Sequence, residues 1–127
     1  MKKTVIEAHV RDRELNEKRI PWPAYETGVP GLVVHRVIAA AEGDRGKHVD
    51  EMTFVPSDTW VVAHVESGKT MAIHNAVAPT RALALRQAQA LAPFADWTRT
   101  SEELKRAHIN LSLVYRAVKE VLTEEAK

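Results

Sequence analysis

Residues 59–75, TWVVAHVESGKTMAIHN, set Ser67-Gly68 between two runs rich in Val, Ile, Thr and Trp. Turn residues between β-branched runs are how a tight β-hairpin is written. The alanine-rich APTRALALRQAQALAPFADW, 78–97, follows at once, with Pro79-Thr80 to open a helix and Pro93 to close it. Alanine lets a helix lie close on whatever it covers, so this stretch constrains the chain to a sheet with a helix packed on it. With Ser67-Gly68 as a two-residue turn, 65 pairs with 70, 64 with 71, 62 with 73 and 60 with 75. One face then carries Trp60, Val62, His64, Met71, Ile73 and Asn75, and the other Val61, Ala63, Val65, Thr70, Ala72 and His74. The first face has the bulk and is the expected core face, to be covered by Leu83, Ala88 and Leu91. The second is expected to be partly solvated or a contact surface.

The remaining elements follow from period and punctuation. TVIEAHVR, 4–11, alternates Ile6, Ala8 and Val10 against Glu7, His9 and Arg11, as a half-buried strand does. DRELNEKR, 12–19, reads as a charged turn or short helix. IPWPAYETGVPG, 20–31, holds three prolines and reads as extended loop with polyproline character around Trp22. LVVHRVIAA, 32–40, is apolar on both faces, as a central strand is. EGDRGKHVDE, 42–51, is a polar connection; Met52–Val55 adds strand residues, and Ser57-Asp58 turns the chain into the hairpin. In the helix 80–92, Thr80 is the N-cap and Leu83, Ala84, Gln87, Ala88 and Leu91 form the buried stripe. Thr100-Ser101-Glu102-Glu103 fits a capping box for a last helix over 101–126. Its apolar positions Leu104, Ala107, His108, Leu111, Val114, Tyr115, Val118, Val121 and Leu122 recur at helical spacing, partly in the four-three step of a coiled-coil seam. The expected fold is α+β, an antiparallel sheet of about four strands with two C-terminal helices, β-β-β-β-α-α. It forms a single domain over 1–127, with 1–78 mostly sheet and loops and 79–127 helical.

Composition narrows the function classes. A chain of 127 residues is the size of one domain, and the absence of cysteine removes disulfides, thiolate nucleophiles and Cys-based zinc sites. No apolar run approaches the roughly 20 residues of a membrane span. The start MKKTVIEAHVRDRE lacks a signal peptide's apolar centre, so a cytoplasmic location is expected. Net charge is +1, so no overall field draws the chain to nucleic acid or membrane.

Candidate chemistry is sparse. Six histidines (9, 35, 48, 64, 74 and 108) invite a metal or acid–base site, but there is no HExxH motif or dense carboxylate–histidine cluster, and the register sends His64 and His74 to opposite faces. No serine lies in GxSxG or SxxK. Gly68-Lys69-Thr70 resembles the tail of a phosphate-binding loop, but Ala63 stands where its first glycine belongs and a strand follows. No catalytic residue, cofactor or metal is assigned.

Two binding surfaces remain. Arg11, Arg13, Lys18 and Arg19 load the N-terminal strand and turn, and Trp22 and Tyr25 follow in an exposed-looking loop suited to stacking on unpaired bases. Residues 1–20 hold six cations against four acids, so the same pattern also describes a solvated charged edge that resists aggregation. The second surface is the last helix. Over 101–126 it would measure about 39 Å, against a radius of gyration of about 14 Å for such a domain. Ile109 and Leu113 lie opposite its main stripe, while His108 and Tyr115 occupy seam positions. The sequence therefore points first to a small non-catalytic binding or regulatory protein acting through a homodimer or partner surface at Ile109, Leu113, His108 and Tyr115. A single-stranded nucleic-acid-binding protein is the alternative, and a small histidine-dependent enzyme the third reading.

Overall fold

The computed structural model describes residues 2–70, 77–107, 109 and 111–126. Four antiparallel strands form one sheet in the order β1-β2-β3-β4: β1 Lys3–Arg11, β2 Glu17–Glu26, β3 Leu32–Ala40 and β4 Phe54–His64. Three helices follow, α1 Arg81–Leu91, α2 Ser101–Arg106 and α3 Leu111–Ala126. The fold is α+β, with a four-stranded antiparallel sheet ahead of its helices.

β1 buries Ile6, Ala8 and Val10, as its alternation requires. Residues 12–16 form its turn into β2, with Leu15 N–H donating to the Asp12 carbonyl and Asp12 N–H to the Asn16 carbonyl. The segment 12–19 is therefore no helix; its second half already belongs to β2. Nor is 20–26 a loop. Ile20, Pro21, Trp22 and Pro23 pair with Ala8, Glu7, Ile6 and Val5.

Both prolines fit this strand because of the side they face. Glu26 N–H donates to the Lys2 carbonyl, so even-numbered residues of β2 address β1 and odd-numbered ones address β3. β2 meets β3 only at Tyr25–Val34 and Glu26–Val33. Pro21 and Pro23 thus point their missing donors where no ladder exists, as at a sheet edge. The gap is bridged by the indole N–H of Trp22, which donates to the Arg36 carbonyl at 3.2 Å.

β3 matches its expected span, and Leu32, Val33, Val34 and His35 are buried on both faces. Pro56, Ser57 and Asp58 do not turn the chain; β4 runs through them, with a register shift opposite Arg36 and Ile38. After β4 the reversal is wider than two residues. Gly68 N–H donates to the His64 carbonyl, His64 N–H to the Lys69 carbonyl, and Ala63 pairs with Thr70 where Val65 was expected. Ser67 Oγ, which accepts the Lys69 N–H and bonds His64 Nδ1 at 2.8 Å, supports the wider loop. Residues 71–76, including Met71, Ile73, His74 and Asn75 of the expected faces, lie outside the described residues. Trp60 and Ala78 exchange both backbone bonds at 2.8 Å.

Two cores flank the sheet. Val62, Leu32 and Val34 pack with Ala84, Ala88 and Leu91 of α1, Trp97, and Val114 and Val118 of α3, with Trp60 and Leu83 partly buried against them. On the other face Val33 and Ala63 meet Ile6, Ala8, Trp22 and Ala24. The face expected to be partly solvated or a contact surface is thus covered by the chain's own β1–β2 hairpin, which curls across it.

Thr80 caps α1 by accepting Leu83 N–H, and Thr100 and Glu103 complete the capping box of α2. The long helix over 101–126 is not formed. α2 ends at Ala107, which is exposed, and α3 begins at Leu111, giving it about 24 Å of length. The break allows Ile109 to pack on the larger core while α3 turns to lay Val114, Val118 and Val121 along the protein. Gln87 of α1 joins the two helices by donating to the Val118 carbonyl at 3.2 Å.

Candidate functional site

The helix break removes the overhang that argued for association. Ile109 is half-buried against the larger core and so does not form an outward patch with Leu113. Leu113 is 44% exposed. Tyr115 is half-buried, with the Lys119 ammonium 5.2 Å from its ring centre. His108 lies outside the described residues.

The N-terminal cations and aromatics separate into different environments. Arg19 is held by carbonyls: its Nε donates to Glu7 at 3.0 Å, and its Nη2 to Glu66 at 3.0 Å and Val65 at 3.4 Å. Lys18 Nζ lies 3.8 Å from Asp50. Trp22 is 7% exposed and bonded to Arg36, so its ring has no free face for a base. Tyr25 belongs to β2, not a loop, and its ring lies tilted against that of Trp60, with centroids 5.9 Å apart. The Arg81 guanidinium lies 4.3 Å over Tyr25 and Arg36 lies 5.2 Å over Trp60, a cation–aromatic ladder that ties α1 to the sheet. Of the residues expected to meet nucleic acid, Arg11 and Arg13 alone remain exposed without a hydrogen-bond or ion-pair partner among the described residues.

The histidines among the described residues do not converge. No group of three or more His, Asp or Glu side chains able to hold a metal occurs among the described residues. His48 caps a 3-10 turn by accepting Asp50 N–H. His64 is buried between the Ser67 hydroxyl and the Arg99 carbonyl, 2.9 Å from its Nε2. The carbonyl can only accept, so Nε2 carries a proton. Burial lowers the pKa of His35, outweighing the opposing effect of its bond to the Arg36 carbonyl, so this imidazole is neutral. His9 Nε2 lies 3.3 Å from Glu17 in a cleft shared with Arg11, Lys69 and Thr70.

An open stretch of sheet edge lies along β1. Its even-numbered residues bond β2, so its odd-numbered residues turn their N–H and C=O groups outward. His9 N–H is taken by the Gly68 carbonyl, and the Glu7 carbonyl by Arg19. Lys3 and Val5 have no outward partner among the described residues. Their stretch of edge borders a groove of about 390 Å³ whose far wall is Gly28–Val33 and Val65. At its rim Val5 is 65% exposed and Val65 39% exposed.

No known protein family, curated protein or solved structure matches the chain. No helix among the described residues is long and apolar enough to cross a membrane.

The alternation of residues 4–11 already marked a strand with a charged edge. That only half of this edge would stay open could not be read locally, because the groups that close the other half, Gly68 and Arg19, come from a distant loop and from across the hairpin.

Proposed function

We propose that the protein is a non-catalytic binding protein that takes an extended polypeptide segment along the free edge of β1. The observation that carries this reading is the row of outward backbone groups at Lys3 and Val5 beside an open groove. An added strand would bond this edge through its main chain and set alternate side chains against Val33 and Val65, which is how sheet-edge recognition divides affinity from specificity. A second copy of the chain pairing β1 with β1 is the simplest such segment, since an antiparallel edge is self-complementary.

The test uses proline as a backbone probe. Val5→Pro removes an outward N–H and leaves the β1–β2 ladder intact, whereas Thr4→Pro removes a bond to Ala24. Peptides selected from a display library, or the protein itself in sedimentation, should bind the parent chain and not Val5→Pro. Binding that survives Val5→Pro and leaves the Lys3 and Val5 amide resonances in place would end this reading.

The proximity of His9 to the Glu17 carboxylate, 3.3 Å from a buried Nε2 that has no hydrogen bond, favours a second reading, general-base catalysis by a small histidine-dependent enzyme. A screen of ester and phosphoester substrates should then show turnover that His9→Gln abolishes. Equal rates for the two proteins would sink it.

A further inference from the structure

The turn between β1 and β2 and the loop between β3 and β4 meet at a concavity of about 400 Å³ lined by Arg11, Asp12, Arg13, Arg45, Gly46 and Met52. Three arginines therefore line its wall with a single acidic residue. That carboxylate is already committed. Asp12 Oδ1 accepts Glu14 N–H at 2.9 Å and Asn16 N–H at 3.0 Å, while Oδ2 accepts the Asn16 side chain at 3.0 Å and Val49 N–H at 2.8 Å. Asp44, next in sequence to Arg45, is held by Lys47 Nζ at 2.9 Å and by Thr53 N–H at 2.7 Å. Arg11, Arg13 and Arg45 have no ion pair and no hydrogen bond among the described residues. With three positive charges and one negative, the wall carries +2. Like charges gathered at one place repel, and with Glu17, opposite Arg11 across β1–β2, drawn to His9, the arrangement gains from an anion that fills it.

The site is also held in place rather than left to chance. Asp12 pins the turn that carries Arg13 to Val49, at the end of the loop that carries Arg45. Gly46 has φ +90°, and a Cβ there would come within 4.0 Å of Arg13 Nη1, so the guanidinium lies directly over the loop.

We infer that this cleft binds a ligand carrying two or more adjacent phosphate groups, through Arg11, Arg13 and Arg45. Guanidinium forks match phosphate oxygens in a way that ammonium groups do not, and several forks around one hollow suit closely spaced phosphates. A nucleic-acid strand fits less well, because the cations that would extend the track are engaged elsewhere: Arg19 on carbonyls and Lys18 on Asp50. Trp22, the ring that would hold a base, is buried.

The probe is pyrophosphate, titrated by calorimetry and by the arginine side-chain N–H resonances. Inorganic phosphate and a thymidine oligonucleotide serve as the other arms. Pyrophosphate should bind about tenfold more tightly than inorganic phosphate, and affinity should fall as salt rises. Arg13→Ser and Arg45→Ser should each weaken it about tenfold, while Arg106→Ser, which removes the same charge from α2, should leave it unchanged. None of the three arginines in the cleft bonds to the fold, so thermal unfolding of these variants should match the parent. Absence of pyrophosphate binding, or binding indifferent to Arg13 and Arg45, would overturn the assignment. Tight binding of the oligonucleotide in place of pyrophosphate would overturn it in favour of a strand-binding surface.

Discussion

The carboxylate of Asp12 accepts the main-chain N–H of Val49 at 2.8 Å, joining two segments that are 37 residues apart in the chain. Burial pushes this carboxyl up, but the Asn16 side chain and the backbone N–H groups of Val49, Asn16 and Glu14 outweigh it and hold the pKa below the ordinary 3.8. A depressed carboxyl contributes stability above its unfolded value of about 3.9, and that contribution is lost as pH falls through the folded value. Asp12→Asn should therefore lower the denaturant midpoint at pH 7 and differ little from the parent at pH values below the folded pKa. Urea unfolding across this range checks it. An equal gap at both ends would show that the charge of the carboxylate is not what those donors require.

Leu15 stands at φ +66° in the same turn and is 66% exposed. This is the left-handed position that follows the tight part of a three-residue hairpin loop, where glycine is at ease and a side chain with a Cβ is not. Leu15→Gly should stabilise the protein by about 1 kcal/mol, because the exposed side chain has little packing to lose. Chemical denaturation measures the change, and a loss of stability would mean that Leu15 packs on something of consequence.

Trp22→Phe keeps most of the ring and deletes the N–H that satisfies the Arg36 carbonyl. The expected cost is about 1–2 kcal/mol for the lost bond, against about 3–5 kcal/mol for Trp22→Ala, which also opens a cavity in the smaller core. Near-equal midpoints for the parent and the phenylalanine variant would assign the residue's role to packing alone.

Val62 lies in the larger core beside Ala84, Ala88 and Leu91. An aspartate there would be charged, buried and unpaired, so Val62→Asp should unfold the domain at neutral pH. Circular dichroism distinguishes this from the mild effect of Val5→Asp, whose side chain is already in solvent.

Residues that report on their own neighbours in sequence were readable in advance. The alternation of Ile6, Ala8 and Val10, the apolar run 32–40, the Thr80 cap with its stripe, and the Thr100–Glu103 box each depend on local backbone geometry, and each stands in the structure. Pro21 and Pro23 misled because proline argues against a strand only where a neighbour needs its N–H, and here none does. The 101–126 pattern is helical at both ends, yet its continuity was decided by where Ile109 packs. Trp22 and Tyr25 looked exposed because prolines surrounded them, but the curl of β1–β2 over Val33 and Ala63 buried the first, and α1 covered the second with Arg81. The same curl leaves Lys3 and Val5 open on one edge and brings Arg13 against the loop of Arg45. Local periodicity therefore determined which segments form strands and helices. Long-range closure decided which faces and edges remain for a partner, since burial and hydrogen-bond satisfaction are properties of the assembled sheet.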